Sequence, residues 1–483
     1  MRSDRLTRLK TRKKPKTTRE AVKLSAGDTK CNSWLQQHKA TLEPAVSAAV
    51  AGAMSTNGPL LEAFISALVM HDQTVQDEKS RSLAPTTAPS REDSRVNLLV
   101  TMDPGQDLDD EMFIVLAAAL EARGLIRLLG VVTCLAPAGM RARLARGTMD
   151  QLGLGAVPVA AGSDGGAAGD PESIANMASV DYITRLPPQE DVGGELMCNV
   201  LRESGPKSVT IAIIASLKDM ADLLRQHEAL VIDKVKEIVI MGGVEAFGKG
   251  PDEMLVPDTA HNNNFDRDAS CFVYRRCQEV GIPLRVVTRF AAYACQMSRS
   301  IYDEMAATGS AIGDHLKRAQ KQSIEKLWQR VCAPEGSQTR QGLPMRCDKP
   351  WFCATFCNGR GAERSADEGI WDEVLGFNMY DPLALVLAVP ALNDHFDPEE
   401  LIVNGVTHRV VGTSKESTGV KDGDRLRAWL YSAFLEGIKL EGLQGQNIAY
   451  TGLVAAQRKE IAALKAELDA EKAKAKQPQE LEA

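Results

Sequence analysis

From residue 96 onward, short apolar runs of strand length alternate with stretches of helical periodicity, and that rhythm leaves few folds open to the chain. The runs lie at 96–100, 126–133, 157–161, 209–214, 238–241 and 284–287, and 111–120 is a clear helical pattern between two of them. Strands spaced by helices build βαβ units, so the expected fold is α/β: an open, mainly parallel sheet flanked by helices. With 44% hydrophobic residues among 483, the chain can fill such a core and still carry N- and C-terminal extensions.

Three segments depart from the rhythm. Residues 1–93 read as a basic, partly helical or disordered extension, with the run Lys10, Arg12, Lys13, Lys14, Lys16 and helix-like spacing at Leu60, Leu61, Phe64, Ile65 and Leu68. The basic run is read first as a solvated tail, and second as a nuclear-localisation or polyanion-binding patch. Asp4 and Glu20 weaken a transit-peptide reading. Within the main domain at 94–450, residues 310–370 look like an insertion, helical at first and then rich in Gly, Pro and Cys. Residues 451–483 form a charged helical tail.

Composition narrows the function classes. A net charge of −7 and 5% aromatics argue against nucleic acid as the partner. No apolar run reaches membrane-spanning length, and the N-terminus has no signal core, so a cytoplasmic enzyme is expected, with the nucleus as the alternative address. Cys332, Cys347, Cys353 and Cys357 do not follow the spacing of paired metal knuckles, and free thiols are the favoured reading over a zinc cluster. The chain has no GxSxG elbow and no glycine-rich phosphate loop.

The most informative stretch follows the first strand. Asp103-Pro-Gly-Gln-Asp107-Leu-Asp109-Asp110-Glu111 crowds four aspartates between a strand end and a helix. In α/β sheets, ligands bind at the carboxyl ends of the strands. Aspartates packed there repel one another unless a cation or hydrogen-bond donors compensate, and a hard divalent cation such as calcium suits an all-oxygen set. An Asp-rich turn with a helix N-cap is the alternative; it suits Asp109 and Asp110 but not Asp103 at the strand end.

This stretch resembles the DPGxDDA motif of the nucleoside hydrolase family. Residues 209–224 (VTIAIIASLKDMADLL), 238–243 (IVIMGG) and 377–390 (FNMYDPLALVLAVP) are similar to three further family segments in the same order, over roughly 96–410. The resemblance implies a calcium-dependent hydrolase that splits a ribonucleoside into ribose and free base. It implies metal ligation by Asp103, Asp110, Asp381 and the Ile214 carbonyl, with Asp107 as an alternative ligand. It makes Asp103 the general base, Asp109 and Asn262 sugar-binding groups, and a homo-oligomer the expected assembly. The departures are specific. Three residues, not one, separate Gly105 from the paired aspartates. Tyr380 stands where the family has a histidine that helps protonate the departing base. Pro137 and Ala260 stand near the positions of a sugar-binding asparagine and glutamate, with His261 or Asp258 as candidate substitutes. Two other readings compete: a catalytically weak riboside-binding relative or interaction module, and a haloacid-type phosphatase, which has no place for IVIMGG and YDPLA.

Overall fold

The computed structural model describes residues 95–441, apart from 106–107, 167–176, 178–179, 181, 184–192, 246–252, 342, 344 and 346. The basic extension, the charged tail and Asp107 therefore lie outside the described residues.

Strand β1 (Val96–Met102) leads into α1 (Asp109–Ala122), and β2 (Ile126–Thr133) into α2 (Ala138–Gln151) and β3 (Val159–Ala161). Next come α3 (Gly193–Glu203), β4 (Val209–Ile213), α4 (Lys218–Lys234), β5 (Val235–Gly242), α5 (His261–Phe265), α6 (Arg267–Glu279) and β6 (Leu284–Thr288). The second half adds α7 (Arg289–Ala294), β7 (Met297–Ser298), α8 (Ser300–Ala307), α9 (Ala311–Cys332), α10 (Lys349–Phe356), β8 (Gly376–Phe377) and α11 (Tyr380–Ala388). It ends in β9 (Glu399–Val403), β10 (Val406–Val411) and α12 (Gly423–Lys439).

Among the described residues the strands form an eight-stranded sheet in the order β3-β2-β1-β4-β5-β6-β10-β9. Neighbours are parallel except β9 against β10. This is the expected open, mainly parallel sheet, and its strand sequences are apolar because both faces are covered. Leu98, Val100, Ile214 and Met241 belong to one core, which α1, α11 and α12 complete. Leu99, Ile211, Ile213 and Ile240 belong to the other, with α3, α4 and α6. Fully burying one such side chain stabilises the fold by roughly 1.5–3 kcal/mol, so the central strands β1, β4 and β5 are anchored from two sides.

The hairpin of β9 and β10 extends the sheet beyond the runs read from the sequence. Val403 pairs with Val406 across Asn404 and Gly405, whose φ angles are 51° and 78°. Two consecutive positive φ angles suit the tight turn that matches strand twist, and Asn-Gly is the pair that adopts it at least cost. Residues 310–370 carry helices α9 and α10. Helix α9 turns Ile312, Leu316, Ile324, Trp328 and Val331 inward, and Trp328 packs on Phe352 of α10 at 5.1 Å between ring centroids. Among the described residues, no helix is long and apolar enough to cross a membrane. The described cysteines are free thiols, and Cys332, Cys347, Cys353 and Cys357 form no group close enough to share an ion.

Candidate active site

The strand order reverses beside β1: the chain runs to β2 and β3 on one side and returns to β4 on the other. A reversal of this kind opens a crevice beyond the strand ends. Asp103 follows β1 and Ile214 follows β4, so both stand at that crevice. The chain leaves β1 through Pro104 and Gly105. Gly105 has φ of 99°, and a Cβ there would strike the Met177 side chain, so glycine meets both demands. Buried Arg141 of α2 secures this turn: its Nη1 donates to the carbonyls of Asp103 and Pro104, both at 2.8 Å, and its Nε to that of Leu135 at 3.2 Å.

Three carboxylates converge here. Asp109 and Asp110 come from the first turn of α1, and Asp381 from the first turn of α11. One oxygen from each lies within 4.8 Å of the other two, and all three side chains are tied into the interior. Asp109 Oδ2 accepts from the backbone N–H groups of Tyr380 (3.2 Å) and Asp381 (3.4 Å), which joins distant parts of the chain. Asp110 is 3% exposed, and its Oδ1 accepts from the Asp103 N–H at 2.9 Å. Asp103 lines the same cavity but stands outside the mutual 4.8 Å group. Burial, and then the charges of Asp103, Asp109 and Glu111, hold the Asp110 carboxyl well above the usual carboxylate range. Acids so placed favour a bound cation, and an all-oxygen donor set fits a hard divalent ion. The Ile214 carbonyl, which lines the cavity, would add a neutral oxygen to that set.

Glu111 lies behind the trio. It is fully buried, and burial pushes its pKa up to about 8. It lines neither chamber described below.

The opposite wall comes from the loop after β5. Asn262 donates from Nδ2 to the carbonyls of Ile214 (3.1 Å) and Met241 (3.0 Å), which leaves its side-chain oxygen as the acceptor. His261 lines the cavity, is exposed, and meets the Phe265 ring edge-on at 4.5 Å. Asp258 lines no chamber. Its carboxylate accepts from the Ala260 N–H (2.7 Å) and pairs with Arg289 (3.3 Å), so it serves the loop. Pro137, at the start of α2, lines neither chamber either. The Tyr380 hydroxyl accepts from Asn378 Nδ2 at 3.1 Å, and its ring meets Tyr293 edge-on at 6.5 Å. Burial above all raises the Tyr380 pKa, so the hydroxyl keeps its proton at neutral pH.

Together these residues line a first chamber of about 580 Å³, which adjoins a second of about 990 Å³. Asp109, Thr259, Arg289, Tyr293 and Tyr380 line both. The second chamber is walled by Phe290, Trp351 and Phe356 among others, so α9 and α10 of the 310–370 segment shape it.

Residues 98–429 match the family of inosine-uridine preferring nucleoside hydrolases. The chain belongs to this family. As a nucleoside hydrolase it is an enzyme that acts on N-glycosyl bonds, and the phosphatase alternative falls away. Two solved structures are similar to it. The effector protein XOO4466 shares 31% identity over 71% of this chain and 94% of its own, with a TM-score of 0.59. The type III effector protein XopQ, solved with adenosine diphosphate ribose, shares 32% identity over the same fractions with the same TM-score. No curated protein matches.

Within this nucleoside hydrolase, the geometry gathers Asp103, Asp109, Asp110 and Asp381, with the Ile214 carbonyl, Asn262, His261 and Tyr380, round one cavity. Arg289 and Tyr293 were missed by sequence reasoning. Arg289 follows β6 directly, so the strand-end rule that flagged Asp103 would have flagged it too, and Tyr293 stands one turn further on in α7.

Proposed function

We propose that the chain hydrolyses the N-glycosidic bond of ribonucleosides, with calcium held by Asp109, Asp110 and Asp381 beside Asp103 and the Ile214 carbonyl. The observation that carries this reading is the meeting of carboxylates from α1 and α11 at the floor of one cavity. Calcium bound there supplies the positive charge that grips the ribose 2′ and 3′ hydroxyls. Asp103 takes the proton of the attacking water, and its backbone is pinned for that task by Arg141 and Asp110. As the bond breaks, positive charge grows on the ribose, and the carboxylates and the Asn262 oxygen favour that state over the ground state. Tyr380 orients the departing base through a hydrogen bond, and the base takes its proton from solvent water as it leaves.

The test incubates the purified chain with inosine, uridine, adenosine and guanosine, with calcium and with a chelator. Calcium-dependent release of free ribose from at least one is expected; none from any of the four ends this reading. A second reading, a riboside-binding protein with weak turnover, is favoured by Tyr380 in the histidine's place. Tight nucleoside binding in calorimetry without ribose release would select it.

A further inference from the structure

We propose that this nucleoside hydrolase takes ribosides phosphorylated at the 5′ oxygen, with Arg289 binding the phosphate. The inference rests on the reading that seats the ribose diol on the carboxylate trio. In a β-ribonucleoside the base and C5′ project from one face of the sugar ring, and the 2′ and 3′ hydroxyls from the other. With the diol on the trio, the base and the 5′ group both point away from the floor, toward the junction of the two chambers. Arg289 and Thr259 are at that junction, since each lines both chambers, and Ala260 beside Thr259 lines the first.

The charges there suit a phosphate. Ala260 stands where the resembling family has a sugar-contacting glutamate, so a carboxylate that would repel a 5′ phosphate is absent together with its bulk. A cation is present instead. Asp258 accepts from the Ala260 N–H at 2.7 Å through Oδ1 and meets Arg289 Nη1 at 3.3 Å through Oδ2, so one carboxylate holds the guanidinium next to Ala260. That contact engages Nη1, while the guanidinium stacks over the Phe290 ring at 5.0 Å. The Arg289 side chain is 42% exposed and lines both chambers. A planar fork held on one edge and one face and free on another is the geometry that binds phosphate oxygens in pairs. Asp258 lines neither chamber, and its charge is met by Arg289.

The test compares kcat/KM for uridine and inosine with that for their 5′-monophosphates, by release of free base, with the full chain in calcium. The monophosphates are expected to be preferred. Arg289→Ala should reduce that preference by about 10- to 150-fold, chiefly through KM for the monophosphate, the range expected for charge-assisted hydrogen bonds. Ala260→Glu should shift it the same way. Preference of the wild-type chain for the unphosphorylated substrates, or equal loss on both in Arg289→Ala, overturns the proposal. Calorimetry with ribose 5-phosphate and ribose separates it from the hydrolase reading. Tighter binding of the phosphate, lost in Arg289→Ala, upholds the subsite even if no substrate is cleaved. Equal affinities in the wild-type chain defeat it.

Discussion

Replacing Arg141 by Met tests whether the site depends on a buried cation beneath it. The side chain is 1% exposed and donates to three main-chain carbonyls, those of Leu135, Asp103 and Pro104. These carbonyls belong to the turns after β1 and β2, so one guanidinium ties together two strand ends at the crevice. Met keeps the length of the stem and removes every donor. Three hydrogen bonds from a charged group contribute roughly 4.5–9 kcal/mol if summed at ~1.5–3 each. The variant also no longer buries a guanidinium, which offsets several kcal/mol of that loss. A net destabilisation of about 2–4 kcal/mol follows. The Asp103 backbone would keep its N–H bond to Asp110 and lose its carbonyl tether. A carboxylate loosened by ~1 Å costs up to about 10²-fold in kcat, while KM, set by the diol contacts, moves little. Urea unfolding followed by circular dichroism in chelator isolates the stability term from metal linkage. Base-release kinetics in calcium give the kcat and KM split, and Arg141→Lys, which restores a single-point donor, should recover part of kcat. Stability within ~0.5 kcal/mol of wild type together with unchanged kcat would refute the reasoning, because three buried carbonyls would then need no donor.

Three further outcomes are expected. Calcium at about 100 times its Kd should stabilise the chain by roughly 2.7 kcal/mol in thermal unfolding, and Asp381→Asn should remove most of that gain; an equal gain in both would count against the trio. Asp103→Asn should lower kcat about 10²- to 10⁴-fold, because a carboxamide cannot accept the water proton, yet leave calcium stabilisation in place; full activity would exclude Asp103 as the base. His408 on β10 is fully buried, accepts the Leu284 N–H on Nδ1 at 3.1 Å, and burial lowers its pKa from 6.5 to about 4. The unfolded chain therefore binds the proton first as pH falls. Stability is unaffected by this group above pH 6.5 and is lost between pH 6.5 and 4, by about 3 kcal/mol in all. His408→Asn, which can keep the acceptor without titrating, should flatten unfolding free energy over that window, and an unchanged slope would disprove the assignment.

Most of the sheet was legible because burial on both faces imposes mainly apolar strands. Val209–Ile213 and Leu284–Thr288 are buried at every position, and all their residues but Thr210, Arg285 and Thr288 are apolar. The β9–β10 hairpin was not read, although Leu401-Ile402-Val403-Asn404-Gly405-Val406 carries its own turn signal. The reason lies in its exposed edge: Glu399, Glu400 and Ile402 of β9 are partly or fully open to solvent, so the strand lacks the continuous apolar run of its neighbours. Edge strands carry charge for good physical cause, and that charge hides them from a search for apolar runs.

The site was legible to the extent that its groups sit at strand ends. What a local motif does not contain is the rotation of α1. Asp109 and Asp110 are successive residues, about 100° apart around a helix axis. Which of them turns toward Asp381 depends on how α1 packs, and α1 is buried at every position from Asp110 to Leu120. Contacts with α11 and α12, more than 250 residues downstream, take part in setting that rotation. The result is that both aspartates contribute an oxygen to the trio, whereas the motif alone assigned Asp109 to the sugar. The second chamber is a stronger case of the same effect. Trp351 and Phe356 reach it from α10, a helix with no motif around it, so nothing in their sequence neighbourhood marks them as lining a cavity. Chemistry that needs carboxylates leaves a mark on the sequence, because clustered charge is costly everywhere else. An apolar wall leaves none, because the same residues serve the core.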